Sequence, residues 1–350
     1  MKGVINEIKL QDRAKWNELV RSFPDYDVFY LNEYVNAFAQ ENVQNGLPIL
    51  LYYSDGSDVA INVVFKRDVS FDKKLRNKIE EARFFDLITP YGYGGFWGNV
   101  SDWDKLNHTY KAYCMENHYI CEFVRFELFS DYHEHYDGEV ETKTHNVVRS
   151  LELPIDEIWM DFKQKVRKNV KKANTFNLSC IIENSGTYLE DFLRIYYSTM
   201  ERNDAEVEYY FSREFFERLN EMPENIMYFH VVYEGKIVST ELVIYGSKNC
   251  YSYLGGTDRE YFDMRPNDFL KYEIIKWAKE RGLKNFVLGG GYGTDDGIFK
   301  YKLCLAPHGI YDFRIGRRVF DDEAYSHLVD IRAIDNPECR KAEFFPKYRA

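Results

Sequence analysis

Long apolar runs are absent from this sequence. Stretches such as Ala60–Phe65 fall far short of the roughly 20 residues that a bilayer-spanning helix needs, so no transmembrane segment is expected. The opening residues Met1–Glu7 lack the basic region and apolar run of a secretory signal, and a cytoplasmic location is expected. Cysteine is sparse. Cys114, Cys121, Cys180, Cys250, Cys304 and Cys339 form no Cys-x-x-Cys pair and sit in apolar or aromatic stretches, which reads as buried free thiols of a reducing compartment. The Gly-x-Ser-x-Gly nucleophile elbow is missing, and no cysteine has a neighbouring cue for catalysis, so a covalent acyl-enzyme is not expected. Excess positive charge is also lacking. A net charge of −11 argues against broad affinity for DNA or anionic membrane, while leaving room for a local basic site. His133 and His135, among the carboxylates of Asp131–Asp137, are spaced as in a solvated turn rather than a convergent ligand set, and no metal site is expected.

What is present is a chain of 350 residues, 45% hydrophobic, sufficient for two domains with separate cores. Aromatic residues make up 17%, including 29 Tyr, which implies many half-buried rings or a groove, since one core cannot enclose so many unpaired phenols. Helical periodicity appears over Asp12–Phe23, Tyr30–Asn42 and Asp102–Asn117. Strands are expected at Leu47–Tyr53, Val59–Phe65, Phe84–Ile88, Tyr119–Phe129 and Val147–Leu153. A long helix from about Ile155 to Phe176 then opens a second unit of similar order. It contains a strand Leu178–Glu183, helices from Tyr188 and Ser212, a hairpin Ile226–Tyr245, a strand Cys250–Leu254, a helix from Pro266 to Arg281, and a buried strand Phe286–Leu288. The expected fold is mixed α/β, with domains at residues 1–153 and 154–350 and no low-complexity linker between them.

Chemistry concentrates in the second half. Gly289-Gly290-Gly291 follows a buried strand and would let backbone N–H groups approach an anion or carbonyl, although a tight turn alone also calls for glycine. Lys300 and Lys302 share one face if Phe299–Leu303 is a strand, while a solvated charged face is the plainer alternative. Lys163, Arg167 and Lys171 climb one flank of the amphipathic helix beside Ile158, Phe162, Val166 and Val170. This cation ladder suits phosphate, and Arg167 can bind it bidentately; a basic solvent face is again the alternative.

Several segments read in order give a resemblance. These are Thr89–Gly95, Arg167–Ala173, Tyr197–Arg202, Tyr251–Thr257, Arg265–Leu270, Gly289–Gly291 and Gly297–Lys302. Together they resemble the Fem transferases, which build peptidoglycan cross-bridges from aminoacyl-tRNA, and the broader Fem-like branch of the GNAT acyltransferases. The resemblance implies tandem GNAT-type domains, each a mixed, mainly antiparallel sheet flanked by helices, with the active site in or beside the second. It implies an acyl- or aminoacyl-transferase that forms an amide on an acceptor amine of a cell-wall or glycan precursor. A noncatalytic GNAT-like module binding such a precursor is the alternative, with the aromatic loop Tyr91–Trp97 stacking on sugar. Tyr301-Lys302 matches the aromatic–lysine pair at the Fem active site, so Lys302 would stabilise the oxyanion and Tyr301 would shape the pocket or protonate the leaving group. Arg167, Lys171, Arg202, Tyr91, Lys300 and the Gly289–Gly291 turn would bind substrate, with Arg265 and Asn267 on the donor. No general base stands out: Asp295 and Asp296 are the nearest carboxylates, and substrate-assisted transfer is equally open.

Two departures bear on the donor. The turn before the Pro266 helix has no glycine, Pro266 has no N–H, and Asp268 would repel a pyrophosphate. The long helical hairpin common in Fem enzymes is also missing. No bound cofactor is expected, and acyl-CoA and aminoacyl-tRNA both stay open as donors. The expected partners are a small or lipid-linked acceptor and, with the Fem-type donor, a charged tRNA.

Overall fold

The computed structural model describes residues 3–41, 45–291 and 296–350. In chain order these form β1 (Val4–Lys9), α1 (Arg13–Arg21), α2 (Asn32–Glu41), β2 (Leu47–Asp55), β3 (Asp58–Asp68), β4 (Phe85–Ile88), β5 (Trp97–Asn99), α3 (Trp103–Glu116), β6 (Tyr119–Arg125) and β7 (Glu139–Ser150). They continue with α4 (Ile155–Asp161), α5 (Gln164–Asn174), β8 (Ser179–Glu183), α6 (Leu189–Arg202), α7 (Arg213–Leu219), β9 (Ile226–Tyr233), β10 (Lys236–Tyr245), β11 (Asn249–Thr257), α8 (Pro266–Glu280), β12 (Asn285–Gly289), α9 (Gly297–Leu305), β13 (Ile310–Val319) and α10 (Asp322–Asp335).

Two compact units result. One comprises Met1–Phe23, Phe29–Lys143 and Phe313–Ala350; the other comprises Pro24–Val28 and Thr144–Asp312. The single boundary expected at 153/154 therefore differs from the contacts. The last 38 residues fold with the N-terminal segments, because β13 pairs with β6 from Ile315↔Arg125 to Val319↔Cys121.

Both units repeat one plan: strand, two helices, three strands, helix, strand, with the short β5 added before the last helix of the plan in the first unit, paired to β3. In the first unit β1, β2, β3 and β4 run antiparallel, β4 lies parallel to β6, and β13 closes the row antiparallel. In the second, β8 to β11 run antiparallel, β11 lies parallel to β12, and β7 closes the row. The leading strand β1 escapes the sequence reading because only Ile8 of its six side chains is buried, so its apolar alternation is weak.

The core of the second unit gathers Phe229, Val243, Leu270, Ile274, Ala278 and Phe286 under α5 and α8. In the first unit several of the buried phenols are paired inside the core. Tyr110 donates to Glu122 at 2.7 Å, Tyr34 to the Tyr91 carbonyl at 2.7 Å, and Tyr348 to Asp86 at 2.8 Å. Carboxylates and backbone carbonyls inside the core satisfy these hydroxyls, whereas the buried hydroxyls of Tyr53 and Tyr136 have no hydrogen-bond partner among the described residues.

The expected helix Ile155–Phe176 is two helices. Phe162 and Lys163 are extended, at ψ 142° and 145°, and the Lys163 N–H donates to the Cys304 carbonyl at 2.9 Å instead of continuing the helical ladder. Phe299–Leu303 is helical, within α9, and not a strand. Asp296 caps this helix by accepting from the Phe299 N–H at 2.8 Å, a local signal that outweighs the alternation of Lys and aromatic residues.

Candidate active site

The site forms in the second unit where two parallel strands part. β11 pairs with β12 only from Asn249↔Asn285 to Tyr251↔Val287, although β11 runs on to Thr257. Beyond that point stand Ser252 on β11 and the Gly289-Gly290-Gly291 turn after β12. Gly289 has φ +80°, a left-handed conformation that side chains disfavour, and a β-carbon at Gly291 would meet Asp296 at 2.0 Å. Gly289 and Gly291 are thus favoured by the turn itself.

Into this opening α9 sends Lys302. Its ammonium donates to the Gly290 carbonyl at 2.5 Å, so the lysine meets a carbonyl of the turn. Burial lowers its pKa to about 8, Lys271 adds to the effect, and Glu241 and Asp296 oppose it. Tyr301, the preceding residue, accepts a hydrogen bond from Asn267 Nδ2 at 2.9 Å, and burial holds its phenol firmly protonated.

Beneath lies an ion pair that sequence reasoning missed. Lys271 on α8 donates to both oxygens of Glu241 on β10, at 2.7 and 2.5 Å, and to Ser252 Oγ at 2.6 Å. Both charged side chains are more than nine-tenths buried. A lysine in a helix and a glutamate in a strand carry no sequence mark of partnership; only the fold joins residues 30 apart.

Two cavities flank the N-terminus of α8. One, of about 290 Å³, is lined by Lys165, Asn169, Asp268, Lys300, Tyr301 and Cys304, among others. The other, of about 340 Å³, is lined by Thr199, Arg202, Phe262, Arg265, Asn267 and Asp268, among others. Arg265 takes a left-handed conformation, φ 61°, at the start of the helix. Arg202 donates to the Thr257 carbonyl and Thr199 Oγ1, both at 3.3 Å, and stacks over the Phe262 ring at 5.1 Å.

Asp268 borders both cavities. Its Oδ2 accepts from Asn169 Nδ2 at 3.1 Å, while its Oδ1 is buried without a hydrogen-bond partner among the described residues. Burial pushes its carboxyl up to about 6, against the pull of Asn169, Arg265 and Lys165. The sequence reading treated this residue only as a repulsive charge.

The expected residues thus divide. Lys302, Tyr301, Asn267 and Gly289–Gly291 converge at the parting strands, Lys300 lines the first cavity, and Arg202 and Arg265 line the second. Arg167 does not join them: its guanidinium donates to the Met160 and Phe162 carbonyls, at 2.5 and 2.7 Å, and so seals the end of α4. Lys171 is exposed and lines neither cavity. Lys165 and Asn169 of α5, not the 163/167/171 ladder, line the cavity. Tyr91 belongs to the first unit, stacked on Phe38 at 5.3 Å. Tyr93 and Phe96 of the same loop are buried. Asp295 lies outside the described residues, and Asp296 is committed as the cap of α9. Asp296→Ala should cost about 1 kcal/mol of stability and lower turnover several-fold by loosening the helix that carries Tyr301 and Lys302, which a thermal melt and a rate assay would register together.

Among the described residues no helix is long and apolar enough to cross a membrane. No curated protein matches the sequence. Residues 160–303 match the acetyltransferase (GNAT) domain family. Among solved structures, FemX aligns over 93% of this chain and 99% of its own, with a TM-score of 0.70 and 12% identity. A conserved protein of unknown function from Bacteroides thetaiotaomicron aligns over 89% and 98%, at 0.59 and 11%. The C-terminal domain of a putative lysylphosphatidylglycerol synthetase from Agrobacterium fabrum aligns over 93% and 96%, at 0.54 and 11%. At such identities the likeness is one of fold. Residues 160–303 are thus similar to the GNAT acetyltransferase domain, and the fold as a whole is similar to that of FemX.

Proposed function

We propose that this protein transfers an acyl or aminoacyl group to an acceptor amine by direct aminolysis of an ester or thioester. The observation that carries this reading is the half-buried Lys302 ammonium at the Gly290 carbonyl, one residue from the Tyr301 phenol, where β11 and β12 part. A cation held in a site of low dielectric stabilises the oxygen that becomes negative as an amine attacks a carbonyl. Tyr301, kept protonated by burial, supplies the proton that the departing oxygen or sulfur needs. The acceptor is a cell-envelope precursor or glycan, a reading supported by the resemblance to the Fem enzymes. The burial of Tyr93 and Phe96 and the stacking of Tyr91 on Phe38 weigh against a noncatalytic sugar-binding module built on this loop. Incubating the intact protein with a panel of acyl-CoA and aminoacyl-tRNA donors and amine acceptors, read by mass spectrometry, tests the proposal. Absence of amide product with every pair would sink it.

The donor is a carrier other than a tightly held CoA. Pro266 removes an N–H from the turn that would cradle a pyrophosphate, and the Asp268 carboxylate sits at the same helix end. Calorimetry should show CoA and acetyl-CoA binding more weakly than micromolar, and charged tRNA binding in a salt-sensitive manner. Micromolar CoA binding would return the chain to acyl-CoA chemistry.

A further inference from the structure

We infer that Asp268 binds the amine of the acceptor and takes its proton, with the acceptor seated in the cavity lined by Lys165, Asn169 and Lys300. The inference rests on the acyl-transfer reading and supplies the base which that reading lacks.

Asp268 is 6% exposed, and its Oδ1 has no partner among the described residues. Buried polar atoms in folded proteins are nearly always paired, so an orphan acceptor at a cavity wall calls for a ligand donor. An amine is a donor of the right kind. The carboxylate is also the one residue common to both cavities, so a nucleophile on one side and a carbonyl on the other would meet beside it. Facing it are Lys165 and Asn169 from α5, Lys300 and Tyr301 from α9, Arg265 ahead of α8, and Arg202 from α6. With its carboxyl raised to about 6, Asp268 is ionised at neutral pH yet is a stronger base than an ordinary aspartate.

The acceptor class follows from the walls of the first cavity. Lys165 and Lys300 are exposed cations at its edge, so the acceptor carries a carboxylate or phosphate as well as the primary amine. The step balances as follows. The neutral amine attacks the carbonyl carbon, the C–N bond forms, and the carbonyl electron pair moves to oxygen beside Lys302. The nitrogen loses one proton to Asp268. Collapse restores the carbonyl and breaks the bond to the leaving group, which takes the Tyr301 proton; Tyr301 regains a proton from Asp268 through the site. The net products are amide and protonated carrier.

Asp268→Asn keeps the shape and removes the base. With a donor and acceptor established by the mass-spectrometric panel, the variant should lose about 100-fold or more in kcat, and KM for the acceptor should rise about tenfold. The wild-type acid limb near pH 6 should vanish. A variant with wild-type kcat and an intact acid limb would overturn the inference. A second measurement needs no turnover: calorimetry of L-lysine and 1,5-diaminopentane at pH 7.5. Asp268→Asn should weaken both at least tenfold, and Lys300→Ala should weaken only L-lysine. If no donor supports turnover, the transfer reading falls. Binding lost in Asp268→Asn would then still uphold the amine site, and binding kept would overturn it.

Discussion

Lys302→Met should lower turnover by about 100-fold or more without unfolding the protein, the loss expected when a single oxyanion-stabilising donor is removed. Methionine preserves much of the lysine's length and apolar stem, so the missing element is the charge at the Gly290 carbonyl. The pH dependence sharpens the test. Burial and Lys271 lower the Lys302 pKa to about 8, so the ammonium is charged below that value and neutral above it. Activity that uses this charge falls as pH rises through about 8. Lys302→Arg keeps its charge throughout and should move that alkaline limb to higher pH, whatever its effect on the maximal rate. A wild-type rate that stays level from pH 7 to pH 10 would show that the charge does not act in the transition state.

The parts of this site that sequence made legible were those with local signatures. Three consecutive glycines after an apolar strand and a proline opening a helix announce themselves by residue type, and the Tyr301-Lys302 pair stood out by its resemblance to the Fem motif. What stayed hidden was whatever depends on distant partners. Arg167 looked like a ligand group because nothing in a helical wheel shows that its guanidinium will turn back to cap Met160 and Phe162. Lys300 and Lys302 alternated as on a strand, yet a single capping bond from Asp296 made the segment helical and sent the two lysines in different directions. Asp268 was read by its formal charge, whereas its burial decides its chemistry. Repetition of the unit plan was legible from element order, but the strand that closes each row was not, since strand order is a long-range property.

Lys271→Met should destabilise the second unit by about 3–5 kcal/mol, because it strands the Glu241 carboxylate in the interior without its partner. Glu241→Met should do the same by stranding the ammonium. The double variant should recover most of the loss, since two apolar side chains of similar volume carry no desolvation penalty. Calorimetric melts of the four proteins measure this directly, and strictly additive losses would refute the coupling. The pair also tunes Lys302. Lys271 depresses its pKa and Glu241 raises it, so the alkaline limb of activity should move up in Lys271→Met and down in Glu241→Gln. Opposite shifts from two residues that need touch no substrate would identify them as positioning residues.

The strands β7 and β13 each leave one unit and enter the other, and each closes a row of strands remote from it in sequence. On a ribosome this order has a cost in time. The first six strands emerge early, but β6 waits for residues 315–319 before its free edge is covered, through the synthesis of nearly two hundred residues. For that interval a nascent chain displays an unpaired strand edge, a hazard for wrong association. Any fragment cut at the obvious midpoint would inherit the same defect permanently: residues 154–350 carry β13 without β6 and leave β12 without β7. Expression of halves should therefore yield aggregating material, while a cyclised or permuted chain that keeps both closing strands retains a route to the native fold.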